Sequence, residues 1–240
     1  MSLFSSLLVM AAAALQIPPE YEGAELTDVQ TRKLGYDFGR CVLKAQSNLA
    51  RRVILENLST SEIFRKHAGL SDSNCLVDAW PVQHVDGVQM RMPGDLMRYS
   101  LADALVEREY PKGLPNVTAR PPLFHRPVDP VLFQPRPGKK LNQAQIETLA
   151  RGKATAIKFY YLARFGECVV RSNSAGTHRL VMQKPGSPEE RAAFAALQPA
   201  LNNCLEAGQT FTANYTLLRG TVALNAYRLA RSASASEAGK

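Results

Sequence analysis

A short pattern built around a cysteine pair occurs twice in this chain, and it limits the possible folds more than any other feature. Four blocks of the first copy recur in the same order in the second. The matching blocks are 38–44 with 165–171, 52–55 with 179–182, 74–76 with 203–205 and 96–102 with 217–223. Since four blocks in one order indicate an internal repeat, we interpret the chain as a tandem duplication of one folding unit.

Each copy contains one pair of cysteines, separated by 34 residues in the first and 36 in the second. Copies of one unit are expected to fold alike, so the repeat favours the bonds Cys41–Cys75 and Cys168–Cys204 among the three possible pairings. A bond that closes a loop of this size adds roughly 3–4 kcal/mol of stability. A zinc site is disfavoured because it would need cysteines two to four residues apart.

The N-terminus carries an uncharged apolar run over residues 3–15. Such a run is too short to span a bilayer, which takes about 20 residues, and alanines 11–14 supply small residues for cleavage. The sequence therefore predicts a signal peptide over residues 1–16 and a periplasmic or secreted mature protein. An even cysteine count agrees with an oxidising compartment. The alternative is an ordinary N-terminal helix, since no Lys or Arg precedes the run.

Helical periodicity dominates both copies. Thr27 with Gln30 forms a capping-box pattern, Asn142 can begin a second long helix, and Ser187 followed by proline marks a third helix start. Apolar residues then recur at steps of three and four. Pro199 is expected to interrupt the helix that follows Ser187. The predicted fold class is mainly α, with two related disulfide-stapled helical units over 17–110 and 141–231.

Residues 111–140 differ from both copies because they hold eight of the fifteen prolines. This density excludes a regular helix and favours extended chain. The segment also carries apolar residues at 123–124 and 131–133, so we expect it to pack along the helical body as a proline-rich strap that joins the units. The Ser/Ala-rich tail 232–240 is expected to be disordered.

Charge is unevenly distributed along the chain. The formal net charge is +8, with −3 over 17–110, +6 over 111–155 and +5 over 156–240. We interpret this charge as a basic surface that meets solvent and keeps the protein soluble. The alternative is that the basic segments contact an anionic partner, such as an anionic component of the cell envelope. No nucleic-acid-binding motif accompanies the charge.

Two arginines are the main candidate site residues. Arg98 and Arg219 occupy the same place in the last helix of each copy, within apolar sequence. We expect each to make a structural ion pair or hydrogen bonds to helix carbonyls, and the alternative is an anion site in each copy. Trp80 and His84 lie near each other in a predicted loop and form a weaker binding candidate. No motif indicates a catalytic residue, a metal site or a cofactor.

Nine residues of each copy form a combined pattern. They are Gly39, Cys41, Val42, Asn74, Cys75, Leu76, Leu96, Arg98 and Ala102, matched by Gly166, Cys168, Val169, Asn203, Cys204, Leu205, Leu217, Arg219 and Ala223. This pattern resembles one in exported bacterial proteins of uncharacterised function. The resemblance implies the fold and export, but no activity. It is imperfect, because Gly220 stands where the first copy has Tyr99.

These features together predict a non-enzymatic exported protein that binds a ligand or partner through a helical body. One alternative is a cell-envelope hydrolase that uses carboxylates the sequence does not identify. The other is a basic nucleic-acid-binding protein, if the chain is not exported. A pocket where two carboxylates converge would favour the hydrolase.

Overall fold

The computed structural model describes residues 27–58, 60–71, 75, 96–135, 138, 140–206 and 213–237. The predicted signal peptide and the candidate residues Trp80 and His84 therefore lie outside the described residues. No described residue belongs to a β-strand, and the predicted mainly-α class is confirmed. None of the described helices combines the length and the hydropathy that crossing a bilayer requires.

The helices follow the chain in two groups separated by the strap. The first group is α1 (Asp28–Leu55), α2 (Thr60–Lys66) and α3 (Leu96–Glu109), and the second is α4 (Gln143–Ser172), α5 (Ser174–Val181), α6 (Pro188–Asn203) and α7 (Tyr215–Glu237). Short 3-10 turns cover Ala68–Ser71 and Pro130–Phe133. Between α3 and the second of these turns, the described strap has no regular helix.

The predicted helix starts are confirmed by their capping hydrogen bonds. Thr27 Oγ1 accepts from the Gln30 amide at 3.2 Å, and Gln30 Oε1 accepts from the Thr27 amide at 2.9 Å. Asn142 caps α4 through the same reciprocal arrangement. Ser187 Oγ accepts from the amide of Glu190 at 3.0 Å at the start of α6. Each cap satisfies backbone donors that a helix start leaves without partners.

Two details of the helices differ from expectation. Pro199 lies inside α6 and does not interrupt it. The proline and Ala195, whose carbonyl it deprives of a donor, are both exposed, so water can replace the missing bond. The last helix runs on to Glu237, into the tail that we expected to be disordered. The alanines there are strong helix formers, and they extend a helix that is already anchored by packing.

The helices of both groups share one hydrophobic core. Helices α3 and α7 pack against each other at its centre, α1 covers α3, and α4 covers α7. Phe38, Leu101 and Leu105 come from the first group and Tyr227 and Leu229 from the second, and all five side chains are fully buried. They belong to a single cluster. The two cysteine-paired segments are thus stabilised by each other.

Both predicted disulfides are present. Cys41 on α1 is bonded to Cys75, and Cys168 on α4 is bonded to Cys204 at the end of α6. The Cα atoms lie 5.5 Å apart in the first bond and 5.8 Å in the second. These separations are ordinary for disulfides, and no cysteine is left free. Each bond ties a long helix to a cysteine further along the same half of the chain.

The two long helical segments both change direction at one residue. Within α1, Gln46 has non-helical angles of φ −139° and ψ 44°. Between α4 and α5, Asn173 has φ −152° and ψ 73°. Gln46 Nε2 donates to the Gly69 carbonyl at 2.7 Å, and Asn173 Oδ1 accepts from the Gly176 amide at 2.8 Å. Polar side chains thus stabilise both bends.

Candidate functional site

Arg219, one of the two candidate arginines, lies in a buried ionic network. Its Nη2 is 2.9 Å from Asp103 Oδ2 on α3, and its Nη1 is 3.1 Å from Glu190 Oε1 on α6. The guanidinium also donates to the carbonyls of Leu180 at 3.3 Å and Val181 at 2.8 Å. Burial opposes the charge on Arg219, but the two carboxylates outweigh it and raise the pKa of the guanidinium.

The network continues to α1 and joins four helices. Arg32 on α1 contacts Glu190 at 3.2 Å and forms an ion pair with Asp28. The adjoining cavity, lined by Arg32, Asp103 and Arg219, has a volume of about 20 Å³. That space holds about one water molecule. Arg219 therefore has the structural role expected of it. The converging carboxylates Asp103 and Glu190 bond to arginine donors, which does not favour a hydrolase site here.

Arg98, the other candidate, lies beside a much larger space. A cavity of about 330 Å³ opens between the strap, α3, α4 and α7, and we call it the strap cavity. Its lining residues are Asn57, Arg98, Tyr99, residues 125–129, Leu132, Phe133, Ala156, Phe159, Tyr160, Ala163, Thr221, Leu224, Asn225 and Arg228. Arg98 Nη2 donates to Asn57 Oδ1 at 2.7 Å. Asn57 lies two residues after the end of α1. It has a left-handed conformation with φ 52°, which asparagine tolerates well.

A second buried arginine shares the strap cavity with Arg98. Arg228 on α7 is 8% exposed, and its Nη2 donates to the Phe124 carbonyl at 2.9 Å. Burial and, to a smaller extent, the charge of Arg98 lower the pKa of Arg228, and Glu167 opposes them. Together these effects bring the pKa of Arg228 to about 10. The two guanidinium groups are thus close enough to repel each other in a poorly solvated place.

The other charged groups around the strap cavity also make contacts within the protein. Arg126 Nη1 lies 3.1 Å from Glu62 Oε2. Asp129, the carboxylate among the described lining residues, accepts a hydrogen bond from the Val131 amide at 2.9 Å. Arg98 and Arg228 place two guanidinium groups at this end of the cavity.

The strap wall of the cavity is held in place by Glu167 on α4. Its carboxylate accepts from the Leu123 amide at 3.0 Å, contacts His125 Nε2 at 2.6 Å and pairs with Arg171 at 2.6 Å. Burial by itself raises the pKa of Glu167, but the hydrogen bonds from His125, the Leu123 amide and Arg171 prevail and lower it to about 2. The carboxylate is therefore ionised at neutral pH.

Arg171 holds the same part of the strap through its backbone. Its guanidinium donates to the carbonyls of Val117 at 3.0 Å, Arg120 at 2.9 Å and Pro121 at 2.7 Å. Extended chain leaves its carbonyls without regular partners, and one arginine satisfies three of them. Residues 117–125 are thus fastened to α4, and the wall of the cavity is preformed.

Among the buried polar atoms on the cavity walls, His125 Nδ1 and Asn225 Oδ1 lack hydrogen-bond partners within the described part of the chain. A buried polar atom without a partner costs about 1–3 kcal/mol. A polar ligand or an ordered water in the strap cavity would remove that cost.

Sequence reasoning found part of this site. It identified Arg98, but it paired Arg98 with Arg219, and the structure places these two in different environments. It missed Arg228, His125 and Asn225. A signal for Arg228 was present, since this arginine lies in the otherwise apolar run 226–230 of the last helix. Nothing in the sequence indicated that His125 of the strap would contact Glu167 on α4.

The described residues contain no group of three or more His, Cys, Asp or Glu side chains that could hold a metal ion. No protein family, curated protein or solved structure matches the chain. The function is therefore inferred from the geometry of the strap cavity.

Proposed function

We propose that this chain is a non-enzymatic exported binding protein whose ligand carries a negative charge and occupies the strap cavity. The observation that carries the proposal is the pair of buried arginines, Arg98 and Arg228, on the walls of one preformed cavity. Guanidinium groups bind carboxylates and phosphates through charge-assisted hydrogen bonds, which strengthen in poorly solvated places. An anion between them would also relieve their mutual repulsion.

The shape of the site favours a small anion over a nucleic acid or another charged polymer. A polymer needs an open basic face, whereas Arg98 and Arg228 are each 8% exposed and border a cavity of about 330 Å³. That volume lies near the lower limit of ordinary ligand pockets. The surrounding aromatic and aliphatic side chains exclude water and strengthen the interaction with charge.

Export is the second part of the proposal. It is supported by the apolar run at residues 3–15 and by two disulfides that use every cysteine of the chain. Disulfides of this kind persist in oxidising compartments. Mass analysis of the protein recovered from the periplasm or medium tests this part. Loss of about the first 16 residues is expected, and full-length protein confined to the cytoplasm contradicts export.

We also propose that the two disulfide-stapled segments arose by duplication and that the strap joins them. In support, the bends at Gln46 and Asn173 occur 127 residues apart, the same offset that relates Cys41 to Cys168. The glycines that allow two helices to pack closely also occupy matching positions in the two segments. A Cβ added at Gly39 would overlap the Ser100 backbone of α3, and one added at Gly166 would overlap the side chain of Thr221 on α7.

Thermal unfolding in matched salts tests the anion proposal. Phosphate and acetate should raise Tm above the value in chloride at equal ionic strength, because a bound ligand stabilises the folded state. Saturation to ten times Kd adds about 1.4 kcal/mol. Arg228→Gln should abolish the difference. The control is Arg164→Gln, since Arg164 lies on α4 outside the cavity and is half exposed.

A second variant provides an independent test in case Arg228→Gln does not fold. Asn225→Asp keeps the size of the side chain and places a carboxylate on the cavity wall, three residues before Arg228 on α7, with loss of the hydrogen bond from the Asn225 amide to the Thr221 carbonyl. It should remove the response to phosphate and acetate. If the wild-type protein responds to neither anion, or if Asn225→Asp responds as the wild type does, the proposed function is wrong.

A further inference from the structure

We infer that the ligand of the strap cavity is a small amphiphile, with an anionic head at the arginine end and an apolar body, of which about ten non-hydrogen atoms in all lie inside the cavity. This inference rests on the proposed function and adds the chemical class of the ligand. It follows from the separation of polar and apolar residues along the cavity, from its length and from its volume.

The polar end of the strap cavity is defined by hydrogen bonds to one carbonyl. The Phe124 carbonyl accepts from Arg228 Nη2 at 2.9 Å and from Asn57 Nδ2 at 3.5 Å. Asn57 in turn accepts from Arg98 at 2.7 Å. Both arginines are thus gathered around residue 124 of the strap, next to His125. An anionic head group bound here would lie within reach of both guanidinium groups.

The apolar end lies further along α4. The strap runs antiparallel to this helix, because His125 contacts Glu167 while Phe133 packs against Gly152. Phe133 therefore lies on the part of the cavity wall formed by Ala156 and Phe159, away from the arginines. The lining residues of α4 run from Ala156 to Ala163, which corresponds to about 10 Å along a helix axis.

The volume sets the size of the part of the ligand that the cavity encloses. At about 30 Å³ for each water-sized group, a cavity of about 330 Å³ holds about ten non-hydrogen atoms. Leu132, at the apolar end, is 70% exposed, so a longer chain could continue past it toward solvent. A carboxylate or phosphate on a chain of eight to ten carbons would fill the cavity with its charge at the arginine end. Decanoate and octyl phosphate are suitable probes.

Isothermal titration calorimetry of the mature protein tests the inference. The probes are matched pairs, each used below its micelle-forming concentration. The chain-only probe is decanol, and the head-only probes are acetate and inorganic phosphate. Decanoate should bind at least about tenfold more tightly than acetate, because buried methylene groups add affinity. It should also bind at least about tenfold more tightly than decanol, which lacks the charge. Comparing the affinity of octyl phosphate with that of inorganic phosphate repeats the test for a phosphate head group, so the carboxylate and phosphate classes are measured separately.

Variants at the two ends should have separate effects. Arg228→Gln should weaken decanoate binding by about tenfold or more, whereas Arg164→Gln should leave it unchanged. Phe133→Ala should weaken decanoate binding without affecting acetate binding. Phe133 is partly exposed, so this variant is expected to fold. Asn225→Asp provides a second test of the charged end that does not depend on the folding of Arg228→Gln.

The outcomes distinguish this inference from the proposed function. If decanoate and octyl phosphate bind no more tightly than their head groups while those still bind, the amphiphile is wrong and the anion site stands. If decanol binds as tightly as decanoate, the anionic head is wrong and the proposed function fails with it. Absence of binding by every probe to folded protein overturns both.

Discussion

Tyr99 on α3 and Gly220 on α7 face each other where the two helices cross, and a Cβ built on Gly220 would overlap the side chain of Tyr99. The Tyr99 side chain is buried and fills the space beside the glycine. These two positions correspond to each other in the proposed duplication. Because the two positions meet at the crossing, both cannot hold a tyrosine, and this contact accounts for the difference between them.

Gly220→Ala should destabilise the protein. The added methyl group would overpack the crossing, which costs about 1–3 kcal/mol, and the helix preference of alanine returns at most about 1 kcal/mol of that. We expect the free energy of unfolding to fall by about 1–2 kcal/mol in denaturant titrations. The control is Gly152→Ala, where the new Cβ would lie 3.4 Å from Phe133 and no loss of stability is expected.

A double-mutant cycle separates this contact from other effects of the alanine. In a Tyr99→Ala background the ring is absent, so Gly220→Ala should cost little or should stabilise the helix. An equal cost in both backgrounds would show that the crossing does not depend on Tyr99.

Asp103→Ala should be among the most damaging single changes in the core. It leaves Arg219 buried with one of its two carboxylate partners, and breaking a buried ion pair costs about 3–5 kcal/mol. Arg40→Ala is the matched control because it breaks the pair with Glu107, one turn further along α3, and Arg40 is half exposed. Exposed pairs contribute about 1 kcal/mol or less. Equal losses in urea titrations would contradict the structural role of the network.

Local features of the fold could be predicted from the sequence, since they depend on residues close in the chain. The caps at Thr27, Asn142 and Ser187 each need only the next three residues. The disulfide pairing could be predicted because the repeat reduced three possibilities to one. Pro199 was misjudged for a tertiary reason, because buried neighbours and solvent on the exposed side keep α6 intact around it.

The candidate site was harder to predict because repeated positions acquired different surroundings. Aligning the two copies puts Leu224 at the position of Asp103, and Ile63 at the position of Glu190. Leu224, the counterpart of Asp103, lines the strap cavity together with Arg98. A repeat pattern reveals equivalent arginines, but it does not reveal that the acidic partners of Arg219 have apolar residues at the equivalent positions.

The path of the strap could not be predicted either. It depends on hydrogen bonds between residues that lie far apart in the chain, such as Arg171 with the carbonyls of Val117 and Pro121. Backbone carbonyls carry no sequence signature, so neither the attachment nor the cavity beneath it follows from composition. The high proline content indicated extended chain and left its route open.

Protonation of Glu167 at low pH should weaken the attachment of the strap to α4. Its pKa is lowered to about 2 in the folded protein from an ordinary value near 4.5, so its contribution to stability is complete above about pH 4.5. That contribution should be lost progressively as the pH falls toward 2. Its size is on the order of 3 kcal/mol. Unfolding of wild type and Glu167→Gln should differ most at neutral pH and converge near pH 2. A gap that stays constant with pH would contradict this role.

Removal of one disulfide should test how much each half depends on its own bond. The double variants Cys41→Ser/Cys75→Ser and Cys168→Ser/Cys204→Ser open loops of similar length, 34 and 36 residues. Each should lose about 3–4 kcal/mol in the free energy of unfolding, measured in urea.

Because both halves share one core, loss of either bond should weaken a single cooperative transition of the whole chain. Two separate transitions in either variant would instead mean that the halves unfold independently. Alkylation before and after reduction provides the check on the starting protein, which should react with no thiol reagent until it is reduced.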